Sequence, residues 1–170
     1  MNQFNSNSKV LKEEFLQAID EHQGIILKVC RMYCSDNSDA EDLYQDILLA
    51  LWKAWPKFRR DAKISTWMYR VGLNQAISRL RNSKRNVPRE SLNFVHDTIP
   101  ANEQNRLDIQ FDKELQTAIA ALGRFDRALL MLYLDEKTYR EIAEILGVSE
   151  SNVGVKINRI KKQLKEKIKP

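Results

Sequence analysis

The sequence predicts an all-α protein made of two small helical domains joined by a flexible linker. Glycine and proline are scarce, with five and four residues in a chain of 170, and 30% of the residues are charged. This composition favours helices over sheets. No stretch alternates strictly between apolar and polar residues, and no Asn-Gly or Asp-Gly pair marks a hairpin turn. Helices are therefore expected throughout both domains.

Three helices are predicted in the first domain. The first runs from about Val10 to Tyr33, and a bend is expected at Gly24 because glycine lowers helix propensity. The second opens at Ser38, which has capping-box spacing to Glu41. The inward faces of these two helices consist of Leu11, Phe15, Ile19, Ile26, Val29 and Tyr33, and of Leu43, Ile47, Leu51 and Ala54.

The second helix is expected to end near Pro56, because proline cannot continue a helix. A cationic loop over 57–64 follows, and Ser65 or Thr66 is placed to cap a third helix that runs to about Ser83. The inward residues of this helix are Val71, Ile77 and Leu80.

The helical period is lost after residue 84. Pro88, Pro100 and scattered polar residues indicate a linker, and a linker of this length indicates a domain boundary. The predicted divisions are a first domain over 1–85, a linker over 86–106 and a second domain over 107–170.

The second domain ends in a predicted helix-turn-helix. Two helices come first, from about Leu107 to Leu122 and from about Asp126 to Leu134. Thr138 and Glu141 have capping-box spacing, Gly147 stands where a left-handed turn ends a helix, and Ser149 is placed to cap the next. The last helix carries an apolar stripe of Val153, Ile157, Ile160, Leu164 and Ile168. Two short helices with a tight turn and a cationic outer side are typical of DNA-binding proteins.

Charge and cysteine content narrow the class of protein. A net charge of +5 favours a polyanionic partner. Cys30 and Cys34 suit neither a disulfide framework nor a zinc site, so we expect buried thiols in a reduced cytosol. No signal peptide and no apolar run of membrane-spanning length occurs, and a cytoplasmic protein without membrane insertion is expected.

One face of the second helix is acidic with a single apolar residue. Its members are Asp39, Asp42, Gln45, Asp46 and Leu49. Such a face is explained either by solvation, with carboxylates favourably near the helix N-terminus, or by docking to a basic helix of another protein.

The cationic loop and the third helix combine cations with aromatic rings. The candidate nucleic-acid contacts are Arg59, Arg60, Lys63, Ser65, Thr66, Trp67, Tyr69, Arg70, Asn74 and Arg81. Rings stack on bases and cations pair with phosphates, as binding of single-stranded DNA requires. Trp67 is equally explained as a core residue, whereas Tyr69 is expected to be exposed.

The helix-turn-helix supplies a second set of candidate DNA contacts. These are Tyr139, Arg140, Ser151, Asn152, Lys156, Arg159 and Lys162. Cations of the last helix would fix the register on phosphates, while Ser151, Asn152 and Lys156 would reach base edges. Gly154 lowers helix propensity, and its missing side chain is expected to let the helix approach the phosphate backbone.

Three segments together resemble a known family. They are DAEDLYQD at 39–46 with LLALWKAWPKF at 48–58, STWMYRVGLNQAISRLR at 65–81, and TYREIAEILGVSESNVGVKINRIKKQL at 138–164. In order and spacing they resemble the extracytoplasmic-function (ECF, group IV) sigma factors of the sigma-70 family, which choose promoters for bacterial RNA polymerase. Gly154, Val155 and Asn158 depart from the residues common at those positions, which leaves the −35 sequence open.

The resemblance implies a sigma-2-like domain and a sigma-4-like domain, each with its own partner. The acidic face would bind the clamp helices of the polymerase β′ subunit, and the β subunit would also be contacted. Residues 63–66 would shape a loop for a flipped −10 base, with Tyr69, Arg70 and Asn74 against the opened strand. The last helix would approach the −35 major groove, the linker would run toward the RNA exit path, and an anti-sigma factor is an expected partner.

Two other classes of function fit the sequence less well. A dimeric helix-turn-helix regulator explains the last third of the chain but gives no role to the acidic face. An enzyme is not expected, because His22 and His96 are isolated and no phosphate-binding loop occurs. No catalytic residue, metal ligand or cofactor is predicted.

Overall fold

The computed structural model describes the backbone of residues 2–86 and 109–167, and the side chains of 9–81 and 115–167. The helices of those ranges are α1 (Asn2–Tyr33), α2 (Asn37–Ala54), α3 (Ile64–Asn86), α4 (Ile109–Ala120), α5 (Arg124–Leu134), α6 (Tyr139–Leu146) and α7 (Glu150–Lys167). One 3-10 turn, Trp55–Lys57, follows α2, and no strand occurs in the described ranges. The all-α prediction is confirmed. The chain divides into two compact units between Asn93 and Phe94.

The first unit is a bundle in which α1, α2 and α3 all pack against one another. Its core contains Phe15, Ile26, Val29, Leu43, Ile47, Leu51, Met68, Tyr69, Leu73 and Ala76. Gly72 lies where the helices approach closely, since a Cβ atom there would come 3.6 Å from Cγ2 of Val29. A row of aromatic rings closes the end of α2, with Phe15 meeting Trp55 edge to face at 5.5 Å between centroids.

Several helix boundaries in this unit differ from the predicted ones. α1 begins at Asn2 and continues through Gly24 as one helix. Asp36, not Ser38, caps α2, because its carboxylate accepts a hydrogen bond from the Asp39 backbone N–H at 2.8 Å. Both pairs have the three-residue spacing that a cap requires, so spacing alone could not choose between them.

The third helix begins earlier and turns a different side inward than predicted. α3 starts at Ile64, which places Ser65 and Thr66 inside its first turn. Val71, Ile77 and Leu80 are only half-buried, whereas Met68, Tyr69, Leu73 and Ala76 form the buried side. The buried side of α3 includes a tyrosine and a threonine. A stripe drawn through the aliphatic residues alone therefore does not coincide with the side that faces the core.

The second unit confirms the predicted helix-turn-helix. The Thr138 hydroxyl accepts from the Glu141 backbone N–H at 3.2 Å, and the Glu141 carboxylate accepts from the Thr138 N–H at 3.0 Å. Gly147 ends α6 with φ 67°, a left-handed conformation that favours glycine. The Ser149 hydroxyl then caps α7, accepting from the Asn152 N–H at 3.2 Å.

The predicted stripe of α7 is largely the core of this unit. Val153, Ile157 and Ile160 are buried and Leu164 is half-buried, whereas Ile168 and residues 87–106 of the predicted linker lie outside the described residues. The helix α7 packs against α5, in which all residues from Ala128 to Leu132 are buried. Predicted and observed helix ends in this unit agree to within two residues where they are described.

Candidate protein-docking and nucleic-acid interfaces

The acidic face of α2 points away from the bundle. Asp39, Asp42 and Gln45 are exposed, Asp46 is half-buried, and the Leu49 side chain is 55% exposed. The opposite side of the same helix is buried. An exposed leucine beside carboxylates gives the face both an apolar contact and a charge.

Arg79 braces this face from α3. Its guanidinium lies 3.3 Å from an Asp39 carboxylate oxygen, 3.5 Å from Asp42 and 3.1 Å from Asp46. Burial disfavours the charged form of Arg79, but the hydrogen bond to Asp46 and the neighbouring carboxylates outweigh it and raise its pKa. Three carboxylates on successive turns repel one another, and one cation with five donors offsets that repulsion.

The sequence analysis did not assign a role to Arg79. The residue lies 33 to 40 positions from its partners, so no local spacing rule connects them. Its place on α3, roughly 180° from Arg70 by helical geometry, was the only available signal. Once that side of α3 is known to face α2, the contact follows.

The two cysteines lie beside this brace. Cys34 and Arg79 line a small pocket, and Cys30 is buried in the core. Burial raises the pKa of Cys30 to about 11 and that of Cys34 to about 12. Both thiols are therefore protonated near neutral pH. The expectation of buried thiols holds for Cys30, whereas Cys34 is half-buried.

The third helix presents one polar stripe to solvent. Arg70, Asn74 and Arg81 are exposed along it, together with Ser78. Two other predicted contacts are buried, since Tyr69 is 1% and Thr66 is 5% exposed. The expectation that Tyr69 is exposed is therefore wrong, because its ring completes the core between the helices.

Trp67 belongs to the aromatic cluster at the start of α3. Its ring lies 4.7 Å from that of Phe58 and 5.8 Å from that of Trp55, between centroids, and the residue is half-buried. The core interpretation of Trp67 therefore holds in part, because the ring packs against its neighbours and keeps some exposed surface, whereas its contact with nucleic acid stays a prediction.

Three cations lie in the loop before α3, next to this cluster in sequence. Arg59, Arg60 and Lys63 are exposed, and Ser65 is half-buried. Arg60 has a φ of 58° and its guanidinium lies 3.0 Å from the Glu14 carboxylate of α1. This contact ties the loop to the bundle while leaving a positive surface.

The outer face of α7 carries most of the second set of predicted contacts. Ser151, Asn152, Arg159 and Lys162 are exposed, and Lys156 is half-buried with its Nζ 5.3 Å from the Phe125 ring centroid. The Asp126 carboxylate of α5 forms an ion pair with the Arg159 guanidinium, at 2.8 Å between Oδ2 and Nη2. Asp126 was not among the predicted site residues, again because the contact spans 33 positions.

Tyr139 and Arg140 are exposed at the first turn of α6. The Tyr139 ring lies over Gly154 of α7, where an added Cβ atom would come 3.4 Å from Cε2 of the ring. A Cβ atom at Gly154 would thus meet the Tyr139 ring in ordinary van der Waals contact, and the approach of this helix to the phosphate backbone stays a prediction.

Comparison with known families separates the same two regions. The model described as Sigma-70 region 2 matches residues 18–86, and that described as Sigma-70, region 4 matches residues 112–164. The chain belongs to the sigma-70 family, in its ECF group. The acidic face and α3 lie in region 2 of this sigma factor, and α7 lies in region 4. Neither match favours the dimeric regulator.

Individual relatives agree with this assignment. The ECF RNA polymerase sigma factor SigW of Bacillus subtilis is 22% identical, over 93% of this chain and 90% of its own length. SigM of Mycobacterium tuberculosis is 26% identical, over 88% and 74%. The sigma factor RpoE from Bartonella quintana, solved with the anti-sigma factor NepR, has the same fold, with a TM-score of 0.66 at 22% identity over 94% and 97%.

The residues that the structure describes, 2–86 and 109–167, contain neither a membrane-crossing helix nor a metal-binding cluster. None of the helices in those ranges is long and apolar enough to cross a membrane. No group of three or more histidine, cysteine or acidic side chains in the same ranges is arranged to hold a metal ion.

Proposed function

We propose that this sigma factor binds core RNA polymerase through the acidic face of α2 and selects promoters through α3 and α7. The observation that best supports the proposal is the brace of Arg79 on Asp39, Asp42 and Asp46. It holds two exposed carboxylates and one half-buried carboxylate in a fixed arrangement on one helix.

A preformed acidic face suits a basic helical partner. Side chains that are already ordered lose less conformational entropy on binding, and complementary charge speeds association. Each carboxylate has lone pairs beyond the one used by Arg79, so a partner cation can be added without breaking the brace. Leu49 supplies the apolar contact. The clamp helices of the β′ subunit are the proposed partner, with further contacts to the β subunit.

The solvent stripe of α3 is the proposed site for the −10 element. Arg70 and Arg81 would bind phosphates of the opened strand, and Asn74 lies between them with an amide able to read a base edge. The loop cations and the half-buried Trp67 adjoin this stripe in sequence. Tyr69 and Thr66 would act from beneath, by supporting the surface.

The free energies of base flipping and base stacking indicate that the strands are opened by the whole polymerase complex and not by the sigma factor alone. Unpairing and flipping a base costs a few kcal/mol, and stacking on an aromatic ring returns about 1–3 kcal/mol. Since these terms nearly cancel, the sigma factor would capture melted bases only while core enzyme holds the duplex. Catalysis belongs to the polymerase, and the site of action is the bacterial cytoplasm.

The outer face of α7 is the proposed −35 reader. Lys156, Arg159 and Lys162 would neutralise phosphates, and Ser151 and Asn152 at the start of the helix would meet base edges. An anti-sigma factor is also proposed, since a relative of the same fold was solved with one. Absence of any such protein on co-purification from the native host would count against that partner.

The −10 assignment is tested by Asn74→Ala in reconstituted holoenzyme, with permanganate footprinting of the melted strand. We expect weaker melting of promoter DNA and unchanged affinity for core polymerase. Asn74 lies on the solvent stripe and makes no contribution to the hydrophobic interior of the bundle. Ser78→Ala, on the same stripe, is the matched control and should melt normally. Normal melting in both variants would contradict the role of Asn74.

A further inference from the structure

Val155 is the most exposed large hydrophobic residue that the structure describes, with 67% of its surface accessible. It lies in the second turn of α7. With 3.6 residues per turn, it points roughly 170° away from the centre of the buried Val153–Ile157–Ile160 stripe. Val155 therefore sits at the middle of the outward face.

Every neighbour of Val155 on that face is polar or charged. Ser151 and Asn152 precede it by four and three positions, and Asn158, Arg159 and Lys162 follow it by three, four and seven, all of them exposed. Single apolar residues on a surface are common and need no explanation by themselves. The position is what distinguishes this one, because it is the apolar centre of a face built for a polyanion.

The fold does not account for a valine at this point. Its exposed side chain contributes little to the core, and a β-branched residue is a weaker helix former than alanine. Two cations beside Val155 contact α5. Arg159 pairs with Asp126, and the Lys156 ammonium lies over the Phe125 ring. These contacts leave the centre of the face to Val155.

The major groove offers an apolar feature that matches Val155. Among the base edges there, only thymine carries a methyl group, and apolar side chains recognise it by contact. Helix-turn-helix proteins place the N-terminal part of the second helix against base edges, and the second turn of α7 belongs to that part.

We propose that Val155 contacts the 5-methyl group of one thymine in the −35 element and thereby sets a preference for a T·A pair at that position. The inference rests on the proposed role of α7. The contact removes from water an apolar surface equal in total to about one methyl group, so replacing the thymine by another base or removing its methyl should weaken binding about fourfold.

The test uses holoenzyme reconstituted from the full chain and core polymerase. Bound members of a promoter library with randomised −35 positions are sequenced for the wild type and for Val155→Ala. Each enriched thymine is then replaced singly by uracil, which lacks only the methyl group. We expect one thymine whose replacement lowers wild-type affinity about fourfold and has no effect on Val155→Ala. Asn158→Ala, on the same face, should keep the wild-type sensitivity.

The outcomes separate this inference from the proposed function. If a −35 sequence is selected but uracil is tolerated everywhere, or if Val155→Ala keeps the same methyl sensitivity, the role of Val155 is overturned while α7 remains the reader. If no −35 sequence is enriched by the wild-type holoenzyme, the proposed function of α7 fails and the inference fails with it.

Discussion

The acidic face of α2 and the outer face of α7 are built alike with opposite charge. Each lies opposite a stripe of three buried aliphatic residues and includes an exposed apolar residue, Leu49 or Val155. Each face also forms an ion pair with one residue of opposite charge from a neighbouring helix. Arg79 of α3 contacts the acidic face of α2, and Asp126 of α5 contacts the outer face of α7.

The faces differ in how completely the neighbouring charge holds them. Arg79 contacts all three aspartates of its face, whereas Asp126 pairs with Arg159 alone among the described contacts. A protein partner has its own fixed side chains, so charges that are already held in place lose less conformational entropy when they bind it. Phosphates recur along DNA, and contacts to them tolerate sliding. The difference in bracing therefore corresponds to the difference in the proposed partners.

The largest effect is expected from reversing a charge on the acidic face. Asp42→Arg places a cation beside Arg79 and opposite a basic partner, and like charges at an interface cost several kcal/mol. We expect affinity for core polymerase to fall on the order of 100-fold. Fluorescence anisotropy with labelled chain measures it.

Asp20→Arg is the matched control, since Asp20 is exposed on α1 and the change in net charge is the same. It should bind core as the wild type does. Equal losses in the two variants would show that net charge, and not the face on α2, governs the association.

A smaller effect is expected on the α7 side. Arg159→Ala should weaken holoenzyme binding to promoter DNA by about tenfold and lower the slope of affinity against salt by about one, as the loss of one phosphate contact predicts. Lys165→Ala removes the same charge six residues beyond Arg159, toward the C-terminal end of α7 and farther from the residues proposed to meet base edges. A salt slope that changes equally in both variants would contradict the assignment.

The smallest effect tests the brace itself. Arg79→Gln should lower the free energy of unfolding of the first unit by about 0.5–1 kcal/mol at low salt, because the partners are exposed and their interaction is screened. All three tryptophans lie in this unit, so their fluorescence reports its unfolding in urea without the second unit. The loss should disappear at 1 M salt.

Arg81→Gln, on the solvent side of the same helix, is the control and should leave stability unchanged. A loss in Arg79→Gln that persists at high salt would mean that Arg79 acts by packing and not by charge. The acidic face would then have to be regarded as solvated carboxylates without a brace.

Local signals were predictable from the sequence and contacts between helices were not. The cap at Thr138 and the left-handed Gly147 follow from rules that span three or four residues, and both were confirmed. The burial of Tyr69 depends on which side of α3 meets its neighbours, and the Arg79 and Asp126 contacts join residues more than 30 positions apart. Such information exists only once the helices are packed.

The Ser38 prediction shows the limit of a local rule. Asp36 to Asp39 and Ser38 to Glu41 both fit a cap, and the structure uses the first. The boundary moved by little, so the acidic face was placed correctly even though the cap was wrong. The exposed face of this helix was thus easier to predict than the contacts that hold its side chains, and its role in binding stays a prediction.

The most direct test of this sigma factor is run-off transcription on genomic fragments with core polymerase, in the presence and absence of the purified chain. The account predicts defined new start sites that require the chain, and their loss with Asp42→Arg but not with Asp20→Arg. Transcription that begins only where core enzyme alone begins would contradict it.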